Sequence, residues 1–89
     1  MAVVESGDTA RTVVNEPQWP DKLMDDWPAS GSVSFMLAIN RRGLPDYCLP
    51  LTPAPGNVDL ESLRRALLAM RFTDAASGGL EWITVAVRW

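Results

Sequence analysis

The sequence predicts an α+β domain with the element order α-β-β-α-β, in which two helices cover one face of a three-stranded antiparallel/mixed sheet. Apolar residues recur with the period of two that is typical of β-strands at 32–40, 44–51 and 81–89. At 20–27 and 60–71 they recur instead at helical spacing. With 89 residues, of which 47% are hydrophobic, the chain is expected to build a single core.

The first 16 residues carry no sustained apolar period, and we expect residues 1–16 to form a flexible N-terminal tail. A short strand at residues 11–15 is the alternative within this tail. The folded domain is expected to span residues 17–89, beginning with the segment Pro17-Gln18-Trp19-Pro20.

The first helix is predicted between two prolines. Pro20 suits the first turn of a helix, where its missing N–H is not needed. Pro28 ends the helix, because the residue before a proline avoids the α region. Between them, Leu23, Met24 and Trp27 form a short apolar stripe that is expected to pack on the sheet.

The first two strands are predicted to form a hairpin. The strand at 32–40 directs four large apolar residues toward one face: Val33, Phe35, Leu37 and Ile39. Gly43 follows and supplies the positive φ that a bulged hairpin turn needs. Pro45 and Pro50 cannot donate to a ladder, so the strand at 44–51 is expected on an edge of the sheet.

The second helix and the third strand complete the predicted fold. Asp59 is suited to cap the N-terminus of a helix at about 60–71. The buried stripe of this helix is Leu60, Leu63, Leu67 and Met70. The third strand, at 81–89, directs one set of residues toward the helices and another away from them: Ile83, Val85, Val87 and Trp89 against Trp82, Thr84, Ala86 and Arg88.

The strand order is expected to be 2-1-3. Because strand two lies on an edge, strand three must pair with the other side of strand one. Both helices then lie on one face, and the other face is open, bearing Met36, Trp82, Thr84 and Arg88. The sequence ends at Trp89, so the outer edge of strand three is expected to be uncovered.

The composition excludes several kinds of catalytic site. Without histidine, neither a Ser-His-Asp triad nor a His-ligated zinc site can form. The single Cys48 has no activating base nearby in the sequence and no second cysteine with which to form a disulfide or a metal cage. We therefore predict no catalytic residue, no bound cofactor and no metal, and expect that the protein is not an enzyme.

Several short motifs resemble, in the same order, the C-terminal domain of TonB, the periplasmic end of the energy transducer, and its TolA-like relatives. They match a Pro-x-Tyr-Pro element, a Gly-x-Val-x-Val/Phe start of strand one, an Ile-Asp/Asn before a glycine turn, and both ends of the second helix. In this sequence they read Pro17-Gln18-Trp19-Pro20, Gly31-Ser32-Val33-Ser34-Phe35, Ile39-Asn40-Arg41-Arg42-Gly43, Val58-Asp59-Leu60-Glu61-Ser62-Leu63 and Met70-Arg71-Phe72-Thr73-Asp74-Ala75.

This resemblance covers about residues 17–89 and implies a non-enzymatic, periplasmic protein-interaction domain. Members of the family carry an N-terminal membrane anchor, which these 89 residues are expected to lack. The resemblance implies docking of an outer-membrane or envelope partner, as in TonB-type energy transduction, by addition of a partner strand to the last strand. The partner-binding residues are then Trp82, Ile83, Thr84, Val85, Ala86, Val87 and Arg88.

Three alternatives stay open. The domain is one part of another envelope-spanning machine, of the secretion or pilus type, or a homodimer that pairs through its last strand. A third class is a small nucleic-acid-binding sheet, with Trp82, Met36 and Arg88 stacking bases on the open face. The formal net charge of −3 disfavours this class.

Overall fold

The computed structural model describes residues 3–7, 9, 11–20, 22–54, 56, 58–75 and 78–89. These residues form six strands and one helix: β1 (Val3–Ser6), β2 (Val13–Asn15), β3 (Ser32–Ile39), β4 (Pro45–Pro50), α1 (Leu60–Leu68), β5 (Arg71–Phe72) and β6 (Glu81–Arg88). The predicted fold class is wrong, because the described chain is mostly sheet, with a four-stranded and a two-stranded sheet and one short helix.

The larger sheet has the strand order β1-β6-β3-β4 and is antiparallel throughout. The central strand β3 pairs with β4 on one side, where Leu37 lies opposite Cys48, and with β6 on the other, where Phe35 lies opposite Val85. The three predicted strands are therefore neighbours in this sheet. The fourth strand, β1, was not predicted, and it lies on the outer side of β6.

The hairpin between β3 and β4 depends on one glycine and one asparagine. Gly43 has a φ of 82°, and its N–H donates to Asn40 O at 3.0 Å. The side-chain oxygen of Asn40 accepts from the N–H groups of Arg42 at 2.9 Å and Leu44 at 3.1 Å. A Cβ atom on Gly43 would clash with the main-chain oxygen of Phe72, so the turn requires glycine for space as well as for conformation.

The helix α1 begins at the predicted N-cap, since Asp59 Oδ1 accepts from Ser62 N at 3.1 Å. It ends at Leu68, short of the predicted residue 71, because residues 71–72 form β5 and pair with β2. No helix in the described ranges is long and apolar enough to cross a membrane. The residues that α1 buries are Leu63, Ala66 and Leu67.

The first predicted helix does not form in the described residues 22–27, which make turns instead. The backbone hydrogen bonds there span three residues, such as Leu23 N to Pro20 O at 3.2 Å, and Lys22 has a φ of 61°. The two bounding prolines leave room for about two helical turns, and an isolated helix of that length is unstable. Part of this prediction, at residue 21, lies outside the described residues.

This turn segment nevertheless packs on the core. Trp27 is 8% exposed and meets Trp89 edge to face, with ring centroids 4.8 Å apart. The indole N–H of Trp89 donates to Pro28 O at 3.0 Å. The apolar residues predicted for a helix therefore pack on the core without forming one.

The core lies on the face of the large sheet that α1 covers. The predicted core residues are confirmed as fully buried: Phe35, Leu37, Leu63, Leu67 and Val85. Met70 and Phe72, which follow α1, join the same cluster.

Residues 1–16, expected as a flexible tail, contain β1 and β2. The strand β2 falls within residues 11–15, where a strand was the alternative. The positions 1, 2, 8 and 10 of this segment lie outside the described residues, as do 55 and 57 in the loop after β4 and 76 and 77 before β6. Four residues carry too little periodicity to predict a strand from the sequence, so β1 is recognised only from its pairing with β6.

Candidate functional site

The outer edge of β6 is occupied by β1, whereas the sequence predicts an uncovered edge. The two strands are antiparallel, with Val4 opposite Val87 and Glu5 opposite Ala86. The pairing extends past the end of β1, where Gly7 N donates to Thr84 O at 2.7 Å. The strand-addition hypothesis therefore concerns an edge that already holds a strand of this chain.

Hydrogen bonds in the middle of β6 and just past its end establish which residues direct their main chain toward β1. Thr84 O accepts from β1's continuation, whereas Trp89 exchanges both of its main-chain bonds with Gly31, just before β3. In an antiparallel ladder the N–H and C=O of one residue point to the same side, and the side alternates along the strand. Thr84, Ala86 and Arg88 therefore face β1, and the residues between them face β3.

The predicted partner-binding residues divide by face. Three of them are core residues with little or no exposed surface: Ile83, Val85 and Val87. The side chains on the opposite face reach solvent to different degrees: Trp82, Thr84, Ala86 and Arg88. Only this second set is able to contact a partner through side chains, so the predicted site is a main-chain edge together with four outward-facing residues.

At residues 4–6 of β1, whose side chains the structure describes, one side chain packs on the core and one forms an ion pair. Val4 is half-buried and packs against the core. Glu5 is exposed and accepts from Arg88 Nη1 at 3.2 Å. Exposed ion pairs of this kind contribute about 0–1 kcal/mol, so at residues 4–6 the main-chain ladder and the packing of Val4 contribute more than the ion pair does.

A second attachment joins the N-terminal segment to the start of β6. Arg11 Nε lies 2.7 Å from Glu81 Oε1, and the Arg11 side chain is only 6% exposed. The Nε–H is not aimed at this carboxylate and makes no hydrogen bond, but Arg11 Nη1 donates to Asn40 O. Glu81 also accepts from Thr9 Oγ1 at 3.0 Å. The sequence does not reveal this cluster, because its members lie up to 72 positions apart and share no local pattern.

The open face of the sheet carries an aromatic pair that joins β4 and β6, the two neighbours of β3. Tyr47 of β4 and Trp82 of β6 both lie opposite Ala38, and their rings stack with centroids 6.2 Å apart and planes 15° apart. Ala38 has no exposed surface although it points away from the core, because the two rings cover its methyl group. Tyr47 remains 55% exposed and Trp82 46%.

Apolar residues continue from this pair along β4. Leu49 lies opposite Met36 and is 52% exposed, and Leu51, whose N–H donates to Ser34 O at 2.8 Å, is equally exposed. The alternation at 44–51 places Tyr47, Leu49 and Leu51 on one side, but the sequence does not show that this side faces solvent. Exposed apolar residues grouped in this way mark interaction surfaces.

The described residues offer little to a chemical mechanism. Cys48 lies on the core face of β4 and is 2% exposed, and burial raises the pKa of its thiol to about 11. A protonated, covered thiol is a poor nucleophile. The described part of the chain contains no group of three or more side chains suited to hold a metal ion. Arg88 is the one cation among the outward-facing residues of β6, and Glu5 neutralises it, which disfavours binding of phosphate groups.

Comparison with protein-family models, with curated proteins and with solved structures found no significant match to this chain.

Proposed function

We propose that this chain is a non-enzymatic protein-interaction domain that docks an extended segment of a partner protein by antiparallel pairing with β6. The observation that carries the proposal is the β1–β6 pairing. The outer edge of β6 accepts a strand, and the strand that it holds is four residues long. A partner segment that replaces β1 meets the main-chain groups of Thr84, Ala86 and Arg88, which supply affinity without regard to side chains.

Replacement of β1 is favoured by the exposure of its residues 4–6, the ones whose burial the structure describes. Glu5 and Ser6 are exposed, and Val4 is half-buried. Edge segments with few buried apolar contacts open at a lower free energy than the core does. A partner strand therefore competes only with the β1–β6 pairing and leaves the β3–β6 pairing intact.

The positions that β1 occupies indicate what the partner segment contains. The residue opposite Val87 packs toward the core, where Val4 now lies, and an apolar side chain fits there. The next residue lies opposite Ala86 on the open face, where Glu5 reaches Arg88. We expect an extended segment in which an apolar residue is followed by an acidic one.

The cellular setting of the proposal rests on the sequence motifs. Their resemblance to the TonB C-terminal domain favours a periplasmic location and an outer-membrane or other envelope partner, and a secretion or pilus machine is the alternative setting. The buried, high-pKa thiol of Cys48 supports the non-enzymatic part of the proposal.

The test compares variants that act on β6 and β1 in opposite directions. The full chain is immobilised, exposed to envelope extract, and the captured proteins are quantified by mass spectrometry. Ala86→Pro removes a main-chain donor directed at the docked strand and is expected to abolish capture. Val4→Asp weakens the hold of β1 and is expected to increase capture of the same protein.

The matched control is Val14→Asp, which places the same charge on an exposed residue of the other sheet and is expected to leave capture unchanged. Circular dichroism establishes that each variant is folded. Capture that survives Ala86→Pro, or that falls in Val4→Asp, contradicts docking on β6.

A further inference from the structure

We infer that the open face of the four-stranded sheet is a self-association surface, on which two copies of this chain pack sheet against sheet. This surface consists of the outward-facing residues of β3, β4 and β6 together with Leu51: Ser34, Met36, Ala38, Tyr47, Leu49, Leu51, Trp82, Thr84, Ala86 and Arg88. It is distinct from the outer edge of β6, so the inference goes beyond strand docking and does not depend on it.

The exposed area of this face matches what a weak dimer needs. Its four large exposed residues are about half exposed: Tyr47, Leu49, Leu51 and Trp82. A large apolar side chain has on the order of 200 Å² of surface, so together they expose roughly 400 Å² in each copy. Two copies bury roughly 800 Å² from these residues alone, and Met36 and its neighbours bring the total near the roughly 1,000 Å² at which specific interfaces begin.

The charge on the face favours a second copy as its occupant. At the far end, Glu5 and Arg88 pair with each other at 3.2 Å, and Asp46, at the hairpin end, accepts from Asn40 Nδ2. Between these ends the outward side chains are uncharged. A two-fold interface presents each patch to an identical patch, and an uncharged apolar patch meets its own copy without like-charge repulsion.

The geometry of the face also suits its own copy. Tyr47 of β4 and Trp82 of β6 lie over Ala38 of β3, so the aromatic pair forms a raised row across the sheet. Beside it, Thr84 Oγ1 lies 3.5 Å from Met36 Sδ, and this row is built from smaller side chains. Sheets that pack face to face lie about 10 Å apart with interdigitated side chains, so the raised row of one copy fits beside the raised row of the other.

The experiment is sedimentation velocity on the full chain at concentrations from about 10 µM to about 1 mM, a range that covers weak dimers. We expect the apparent mass to rise from the 9.8 kDa of one chain toward twice that value. Because each copy carries a net charge of −3, added salt screens the repulsion between copies and is expected to strengthen the dimer.

Three variants locate the surface. Trp82→Ala and Leu49→Asp are each expected to weaken association at least tenfold, since central aromatic anchors dominate interface energies and a charge on an apolar interface is costly. Both positions are exposed, so the variants are expected to keep the fold, which circular dichroism verifies. Val14→Ala, at an exposed valine of the other sheet, is expected to associate like the parent chain.

Two results overturn the inference. One is a chain that stays monomeric at about 1 mM, a result that leaves strand docking on β6 untouched. The other is a dimer that withstands Trp82→Ala and Leu49→Asp. If that dimer is lost in Ala86→Pro, the copies pair through the sheet edge at β6 and not through the open face.

Discussion

Proline at two adjacent positions of β6 is expected to have very different effects on stability. The main chain of Val85 is directed toward β3, opposite Phe35, and its side chain is fully buried. The main chain of Ala86 is directed toward β1, opposite Glu5. A proline at 85 breaks the centre of the sheet, whereas a proline at 86 affects only the pairing with the edge strand.

The expected losses follow from the groups involved. Val85→Pro removes a hydrogen bond worth about 1 kcal/mol, leaves a buried carbonyl of β3 unpaired at about 1–3 kcal/mol, and loses part of a buried side chain at about 1 kcal/mol. The sum is about 3–5 kcal/mol. Ala86→Pro removes one bond near solvent, at about 0.5–1.5 kcal/mol. A chain of this length has a total stability of about 4–13 kcal/mol, so only the first variant is expected to approach unfolding.

Urea unfolding followed by tryptophan fluorescence and circular dichroism measures both losses. Val85→Ala is the control for the side chain, and Thr84→Pro repeats the test at a second residue that faces β1. Equal losses for Val85→Pro and Ala86→Pro, or the larger loss for Ala86→Pro, would refute the alternation of main-chain direction deduced for β6.

Three further predictions concern the core, the ion pair of Arg11 with Glu81, and the thiol. Leu67→Ala is expected to cost about 2–5 kcal/mol in chemical unfolding, because this side chain of α1 is fully buried. Glu81→Gln is expected to cost about 1–3 kcal/mol, since it leaves the nearly buried guanidinium of Arg11 without its half-exposed counter-charge, whereas Glu61→Gln, in an exposed pair, costs less than about 1 kcal/mol. The pKa of Cys48 is raised in the folded chain from 9.0 to about 11, so the stability that it contributes is present below pH 9 and is lost as pH rises toward 11. The free energy of unfolding, measured across this pH range, is expected to fall more steeply in the parent chain than in Cys48→Ala.

The amino-acid sequence by itself determined the elements whose signal is local and long. The strand at Ser32–Ile39 alternates over eight residues, and the cap at Asp59 needs only the three residues that follow it. Gly43 likewise marks a turn that few other residues can form. These features depend on short-range sterics and on hydrophobic period, so they can be predicted without any knowledge of the tertiary structure.

The first helix was predicted wrongly because its pattern is compatible with two structures. Leu23, Met24 and Trp27 form an apolar cluster that a helix would bury, but turns pack the same residues on the core, with Trp27 buried and the other two partly buried. Between two prolines the segment is too short to repay the cost of helix nucleation, and packing of Trp27 against Trp89 does not require helical backbone.

The candidate site was decided by tertiary structure. Residues 82–88 are recognisable as a strand, but only the partner on each side shows which main-chain groups are engaged, and β1 lies about 80 positions away in sequence. The stack of Tyr47 on Trp82 is likewise set by the register of two strands against Ala38. Two distant segments pair because the free energy of a shared core and hydrogen-bond ladder exceeds the entropy lost when the chain between them closes into a loop. This free energy leaves no periodic pattern in the sequence of either segment.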